Sequence, residues 1–125
     1  MGEVIEPSRP FRTAGAPVPD VRPSHGSFIS FDRSELREIL NVYGRMVAAG
    51  EWRDYAIDQL KEKAVFSIFR HMGEVPLYRV EKDPKLRTRQ GAYSVVTATG
   101  LILKRGHDLA RVLAVLDRRL KLVRN

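Results

Sequence analysis

The stretch DYAIDQLKEKAVFSIFRH, residues 54–71, decides the fold because it contains two segments with strand patterns. Three polar residues, KEK, separate the two segments. In the first segment, DYAIDQL, successive side chains would point to opposite sides of an extended chain, with Tyr55, Ile57 and Gln59 on one side. The second segment is rich in aromatic and β-branched residues, which favour strands. Because the polar KEK between them predicts a turn, the two parts together predict an antiparallel pair of strands.

Three more strand patterns follow, in PLYRVEK (76–82), AYSVVTA (92–98) and LILKR (101–105). Thr99 and Gly100 separate the last two and predict a tight hairpin. None of the gaps between strands has room for a crossover helix, so every connection is expected to be antiparallel. The pattern predicts a β-meander of about five strands.

An amphipathic helix is predicted over residues 33–49. Asp32 and Glu35 have the spacing of a capping box, and Gly50 is a typical stop. Residues Phe28–Phe31, just before the cap, look like a short apolar strand. Apolar side chains at helical spacing predict the buried face of the helix. These are Leu36, Ile39, Leu40, Tyr43 and Val47.

The last segment, GHDLARVLAVLDRRLKLVRN, predicts a second amphipathic helix with His107 or Asp108 as its cap. The fold class is therefore α+β, an antiparallel sheet with two helices covering one face. We expect Leu40 and Leu113, each central in its helix, to lie in one core. The apolar stripe of the second helix comprises Leu109, Val112, Leu113, Leu116 and Leu120.

Residues 1–27 contain five of the seven prolines, together with Gly, Ser and Ala. Proline removes backbone donors, and the few large apolar side chains here cannot offset the entropy of ordering. We therefore predict a disordered tail with polyproline character over residues 1–27 and a single domain over residues 28–125.

The chain has no cysteine, which excludes disulfides, thiolate nucleophiles and cysteine-based zinc sites. The N-terminus lacks the apolar core of a signal peptide, and no stretch approaches the ~20 apolar residues of a membrane span. A cytoplasmic location is the expectation.

The net charge of +7 is unevenly distributed along the chain. Residues 1–27 are neutral and residues 28–78 carry a net charge of −1, whereas residues 79–125 contain twelve Lys and Arg against four Asp and Glu, a net +8. This concentration of positive charge creates an electrostatic field that attracts polyanions, although the charge can also simply keep the protein soluble.

The segment KLRTRQGAYSVV, residues 85–96, places three cations in five positions immediately before a strand. If the next two strands pair around Thr99 and Gly100, these cations converge with those at the far end of the hairpin. Sites for single-stranded nucleic acid combine cations, which neutralise the phosphates, with an aromatic ring on which a base can stack, and the cations alone can also bind another polyanion. A solvated loop, with the tyrosine packed on the sheet, is the alternative. The candidate contacts are Lys82, Lys85, Arg87, Arg89, Tyr93, Lys104 and Arg105.

No catalytic constellation is recognisable. The three histidines are His25, His71 and His107, and none has a helical partner at metal-ligand spacing or a serine in an elbow motif. We expect a non-catalytic binding module without a metal or cofactor.

A protein-interaction adaptor is the second functional hypothesis. The meander leaves a sheet edge that can accept a partner strand, and the proline-rich tail can dock elsewhere. Trp52 is an anchor for a partner if it is exposed, or part of the helix–sheet junction if it is buried.

Four stretches together resemble a family of short bacterial proteins catalogued as domain of unknown function 2794. They are residues 31–70, EVPLYRVEK, RQGAYSVV and GLILKRGHDLARVL. The resemblance covers about residues 28–122. It implies a bacterial, cytoplasmic, single-domain protein, and no activity, ligand or catalytic residue comes with it.

Overall fold

The computed structural model describes residues 27–71 and 75–124. Two helices and a five-stranded antiparallel sheet form the predicted α+β fold. A short 3₁₀ helix, Pro84–Leu86, interrupts the connection between the third and fourth strands. In chain order the elements are α1 (Arg33–Ala48), β1 (Asp54–Gln59), β2 (Ala64–Phe69), β3 (Tyr78–Lys82), β4 (Tyr93–Thr97), β5 (Ile102–Gly106) and α2 (Leu109–Arg124).

The sheet is a simple meander in which each strand pairs with the next, in the order β1-β2-β3-β4-β5. Phe66, Val80 and Val95 lie side by side on the three central strands. The β4–β5 hairpin turns at Gly100, whose φ of 93° suits glycine. Both the predicted antiparallel order and the predicted hairpin are confirmed.

Both helices cover one face of the sheet. Helix α2 packs on β4 and β5 and lies alongside α1, and Leu113 of α2 is buried as predicted. Trp52 is also buried, and its ring lies 6.0 Å from that of Tyr43 and 6.2 Å from that of Tyr78. The tryptophan therefore belongs to the helix–sheet junction and is not available as an anchor for a partner.

The capping box of α1 forms as predicted, with the Glu35 amide donating to Asp32 Oδ1 at 2.8 Å and the Asp32 amide to Glu35 Oε1 at 2.7 Å. The predicted buried face is correct only in part: Ile39 is buried and Leu36 and Tyr43 are half-buried against the core, but the other two predicted residues are exposed. Leu40 is 39 % exposed and Val47 is 41 % exposed, so Leu40 does not share a core with Leu113. The buried residues are Glu35, Ile39, Val42 and Met46.

The buried face of α1 is rotated by about a quarter turn from the predicted one, at ~100° per residue. In this orientation Glu35, in the first turn of the helix, contacts Lys82 and Tyr93 of the sheet. Ile39, Val42 and Met46 enter the core on the same side of the helix as Glu35.

Two further predictions concern the ends of the domain. Residues Phe28–Phe31 form no strand; the Ile29 amide donates to the Leu60 carbonyl at 2.8 Å, and Phe31 is buried in the core. Residues 1–26 of the predicted tail lie outside the described residues, as does the side chain of Leu120, so those predictions stay predictions.

Candidate polyanion-binding surface

The loop between β3 and β4, residues 83–91, is a compact hydrogen-bonded turn. Asp83 caps its 3₁₀ helix by accepting from the Lys85 amide at 3.2 Å. The Leu86 carbonyl accepts from the amides of Arg89, Gln90 and Gly91 at 3.0, 3.1 and 2.8 Å. The loop therefore holds its cations on an ordered backbone.

A close backbone approach fastens this loop to the end of β5. Gly91 has a φ of 104°, and a Cβ built on it would overlap the backbone of Gly106. Tyr93 pairs with Gly106 in the sheet, and Ser94 pairs with Arg105. The loop cations and the end of β5 consequently lie at one end of the sheet, as the sequence predicted, and we call this region the basic end.

Four of the seven candidate residues present cations that form no ion pair within residues 27–71 and 75–124. Arg87, Arg89 and Lys104 are exposed. Arg105 is half-buried and, opposite Ser94, lies on the sheet face away from the helices. These four side chains are the part of the candidate set best placed to meet an anion.

Lys85 forms an exposed ion pair with Glu62. The hydrogen bond and charge of Glu62 raise the pKa of Lys85, and the same contact lowers the pKa of the Glu62 carboxyl. Because both side chains are largely exposed, the pair contributes little to stability.

Lys82 and Tyr93 face a partner within the fold. Lys82 Nζ donates to Glu35 Oε1 at 2.8 Å and to the Ser30 carbonyl at 2.9 Å, and the Tyr93 hydroxyl donates to Glu35 Oε2. Burial raises the pKa of Tyr93 above its ordinary value, and the hydrogen bond and charge of Glu35 raise it further. The hydrogen bonds of Lys82 and Tyr93 join α1 to β3 and β4. The ring of Tyr93 therefore does not provide an exposed surface on which a base could stack.

The start of α2, next to Gly106, carries its own anion. Asp108 Oδ1 accepts from the amides of Ala110 and Arg111 at 3.0 and 3.4 Å. Since Asp108 already occupies these helix N-terminal amides, an external anion at the basic end would meet arginine and lysine side chains.

Sequence reasoning missed the long-range role of Glu35. Its spacing from Asp32 identified it as a capping residue, but its partner Tyr93 lies 58 positions away. No local pattern in the sequence signals a contact between residues so far apart.

Within the described ranges, no group of three or more His, Cys, Asp or Glu side chains is placed to hold a metal ion. Neither described helix combines the length and apolar character of a membrane span.

A family model described as "Protein of unknown function (DUF2794)" matches residues 29–113. The match runs from the segment before α1 through all five strands into α2, which confirms the resemblance seen in the sequence. Comparisons with curated proteins and with solved structures found no match.

Proposed function

We propose that this chain, which belongs to the DUF2794 family, is a non-catalytic module that binds a polyanion such as single-stranded nucleic acid through the basic end. The observation that carries the proposal is the close packing of Gly91 on Gly106. It brings cations from two separate parts of the chain to one end of the sheet.

Unpaired charge supports this function. Arg87, Arg89 and Lys104 are exposed and form no ion pair with the described residues, so binding would not first require breaking an internal contact. Arginine suits phosphate because its planar guanidinium can donate two parallel hydrogen bonds. The ordered loop reduces the entropy lost when these side chains bind.

The geometry favours contact with phosphates over recognition of bases. Tyr93, the one aromatic candidate in the set, already donates to Glu35. Without an exposed ring to stack on a base, affinity would come from neutralised phosphates and would depend on salt but little on sequence.

Titration of a fluorescent single-stranded oligonucleotide at several salt concentrations tests the proposal. Each phosphate contact contributes ~0.7 to the slope of log K against log salt. Arg87→Ala with Arg89→Ala should flatten that slope by roughly 1–2 units without changing any sequence preference. Unlabelled polyphosphate, added as a competitor, distinguishes a general polyanion site from one that requires nucleotides.

The charge-matched control is Arg53→Ala with Arg70→Ala. Both residues are exposed and flank the β1–β2 pair at the end of the sheet away from Tyr93. Loss of affinity confined to the Arg87 and Arg89 variant supports a site at the basic end. Equal loss in both variants, or no binding by the wild type at low salt, would overturn the proposal.

A further inference from the structure

Helix α1 has a second apolar stripe that the fold buries only in part. It consists of Leu36, Leu40, Tyr43 and Val47, about a quarter turn from the buried face. Leu36 and Tyr43 are half-buried, whereas Leu40 and Val47 are exposed. Large apolar side chains regularly spaced along an exposed helix face indicate a surface that is covered by something else.

Strand β1 continues this apolar surface. Ile57 and Tyr55 pair with Phe66 and Ile68 of the core and so lie on the helix-covered face, yet they are 39 % and 43 % exposed. The ring of Tyr43 lies 5.0 Å from that of Tyr55 and joins the stripe to the strand. We call this surface, with α1 as its wall and β1 as its floor, the α1–β1 step.

The spacing of helices and strands explains why the α1–β1 step is uncovered and why a helix would fit over it. Helix α2 lies over β4 and β5, with α1 beside it. Packed helices are about 8–10 Å apart and strands about 4.8 Å apart, so the next helix position in this layer falls over β1. The described chain supplies two helices for a sheet whose width accommodates a third.

Gly44 adds a second observation. It lies in the middle of α1 on the outer rim of the stripe, and a Cβ built there would meet no atom within 4 Å. The fold itself therefore does not require a glycine at this position, although glycine weakens a helix interior. A small residue at the rim allows another backbone to approach α1 closely.

Charge indicates the kind of partner. Arg33 and Arg37 are exposed and line a shallow depression with Leu36, Leu40 and Asn41. Arg53, also exposed, precedes β1 at the other end of the step. None of these three arginines forms an ion pair with a described residue.

Within residues 27–71 and 75–124, the acidic side chains nearest the step are engaged elsewhere than with these arginines. Glu38 lies seven residues before Arg45 and so on the side of α1 that faces α2, where Arg45 bonds to Asp117. Asp58 pairs with Val65 and lies on the opposite face of the sheet, whereas Asp54, at the start of β1, acts by its charge on Tyr43. Two copies docked step to step would bring the arginines of both copies together, without charge complementarity between the described residues.

We propose that the α1–β1 step docks an amphipathic helix of another protein, with an apolar stripe flanked by acidic residues. The apolar stripe covers Leu40, Val47 and Ile57, and the acidic flank meets Arg33 and Arg37. The partner helix completes the helix layer over β1.

Binding of three synthetic helical peptides to the full chain tests this. The peptides share one leucine stripe and differ only in flanking residues, which are glutamate, lysine or glutamine. Calorimetry should show the glutamate peptide binding at least tenfold more tightly than the lysine peptide. Leu40→Gln, or Arg33→Ala with Arg37→Ala, should weaken the glutamate peptide at least tenfold.

Two controls define the site. Leu101→Gln alters an equally large, exposed apolar side chain at the β4–β5 turn, and Arg87→Ala with Arg89→Ala removes charge from the basic end. Neither control should change the Kd of the glutamate peptide by more than about twofold. The test variants should change it at least tenfold, which corresponds to ~1.4 kcal/mol. Circular dichroism confirms that each variant is folded.

The proposal is overturned if no peptide binds, if the glutamate and lysine peptides bind equally, or if Leu101→Gln weakens binding as much as Leu40→Gln. It is also overturned if the wild type sediments as a dimer that Leu40→Gln dissociates, because a second copy would then cover the step. Binding of the glutamate peptide that depends on Leu40 and on the two arginines supports it.

Discussion

The Tyr93 hydroxyl donates a hydrogen bond to the carboxylate of Glu35, so that strand β4 is joined to the first turn of α1. Lys82, which pairs with Tyr93 across β3 and β4, donates to the same carboxylate at 2.8 Å. Glu35 also closes the capping box with Asp32. One buried carboxylate thus joins the cap of the helix to both β3 and β4.

Tyr93→Phe should lower the free energy of unfolding by about 1.5–3 kcal/mol, because it removes a hydrogen bond to a charged, mostly buried acceptor. Urea denaturation measures the change. The control is Asp117→Ala, which breaks the exposed pair between Arg45 and Asp117 and should cost less than about 1 kcal/mol. A cost for Tyr93→Phe no larger than that of the control would contradict the role given to Glu35.

Leu113→Ala should lower the free energy of unfolding by about 2–5 kcal/mol, since Leu113 is only 2 % exposed and its removal leaves a cavity. Leu40→Ala should cost about 1 kcal/mol or less, because the side chain lies in the open α1–β1 step. Thermal or urea unfolding of the two variants makes the comparison. Equal costs would mean that Leu40 is covered in the isolated chain.

Local patterns in the sequence predicted the elements of this fold and most of their boundaries. Alternation predicted β1, and Thr99 with Gly100 predicted the β4–β5 hairpin, because each signal lies within a few residues. The spacing of Asp32 and Glu35 likewise predicted the cap of α1. Backbone preferences of this kind do not depend on the rest of the chain.

The rotation of α1 and part of the candidate site could not be predicted in this way. Two apolar stripes overlap along α1, and spacing alone favoured the one that contains Leu40. On the observed face Glu35 meets Tyr93, a contact between distant parts of the chain that local spacing does not signal. The same carboxylate also accepts a hydrogen bond from Lys82, which the sequence analysis had included among the candidate phosphate contacts.

Gly91→Ala should destabilise the domain more than Gly100→Ala. Both glycines have positive φ, of 104° and 93°, so each alanine suffers backbone strain of roughly 1–2 kcal/mol. At Gly91 the added Cβ also meets the backbone of Gly106, whereas at Gly100 it meets nothing within 4 Å. Urea denaturation of the two variants measures the difference, and equal losses would show that the loop does not pack on the end of β5.

Alkaline pH should destabilise the protein through Tyr43. Burial raises the pKa of this phenol from 10.0 to about 12, and the charge of Asp54 and the neighbouring Tyr55 contribute. Because the unfolded chain ionises first, the free energy of unfolding should fall as pH rises from about 10 to about 12. Tyr43→Phe should reduce this dependence in urea titrations at several pH values.

Asp54→Asn provides the companion measurement for Tyr43. Removing the carboxylate removes one cause of the raised pKa, so ultraviolet titration of the folded variant should show Tyr43 ionising at lower pH than in the wild type. An unchanged titration curve would mean that Asp54 does not contribute and that burial and Tyr55 raise this pKa.

Gly44→Ala should stabilise the isolated chain by about 0.5–1 kcal/mol. Alanine restores helix propensity in the middle of α1, and its methyl group meets no neighbouring atom. Thermal unfolding should show a higher midpoint than in the wild type. Gly50→Ala is the contrasting variant, because Gly50 has a φ of 79° just after the helix and alanine is strained there. A destabilising Gly44→Ala would show that the outer rim of the α1–β1 step is already occupied within the chain itself.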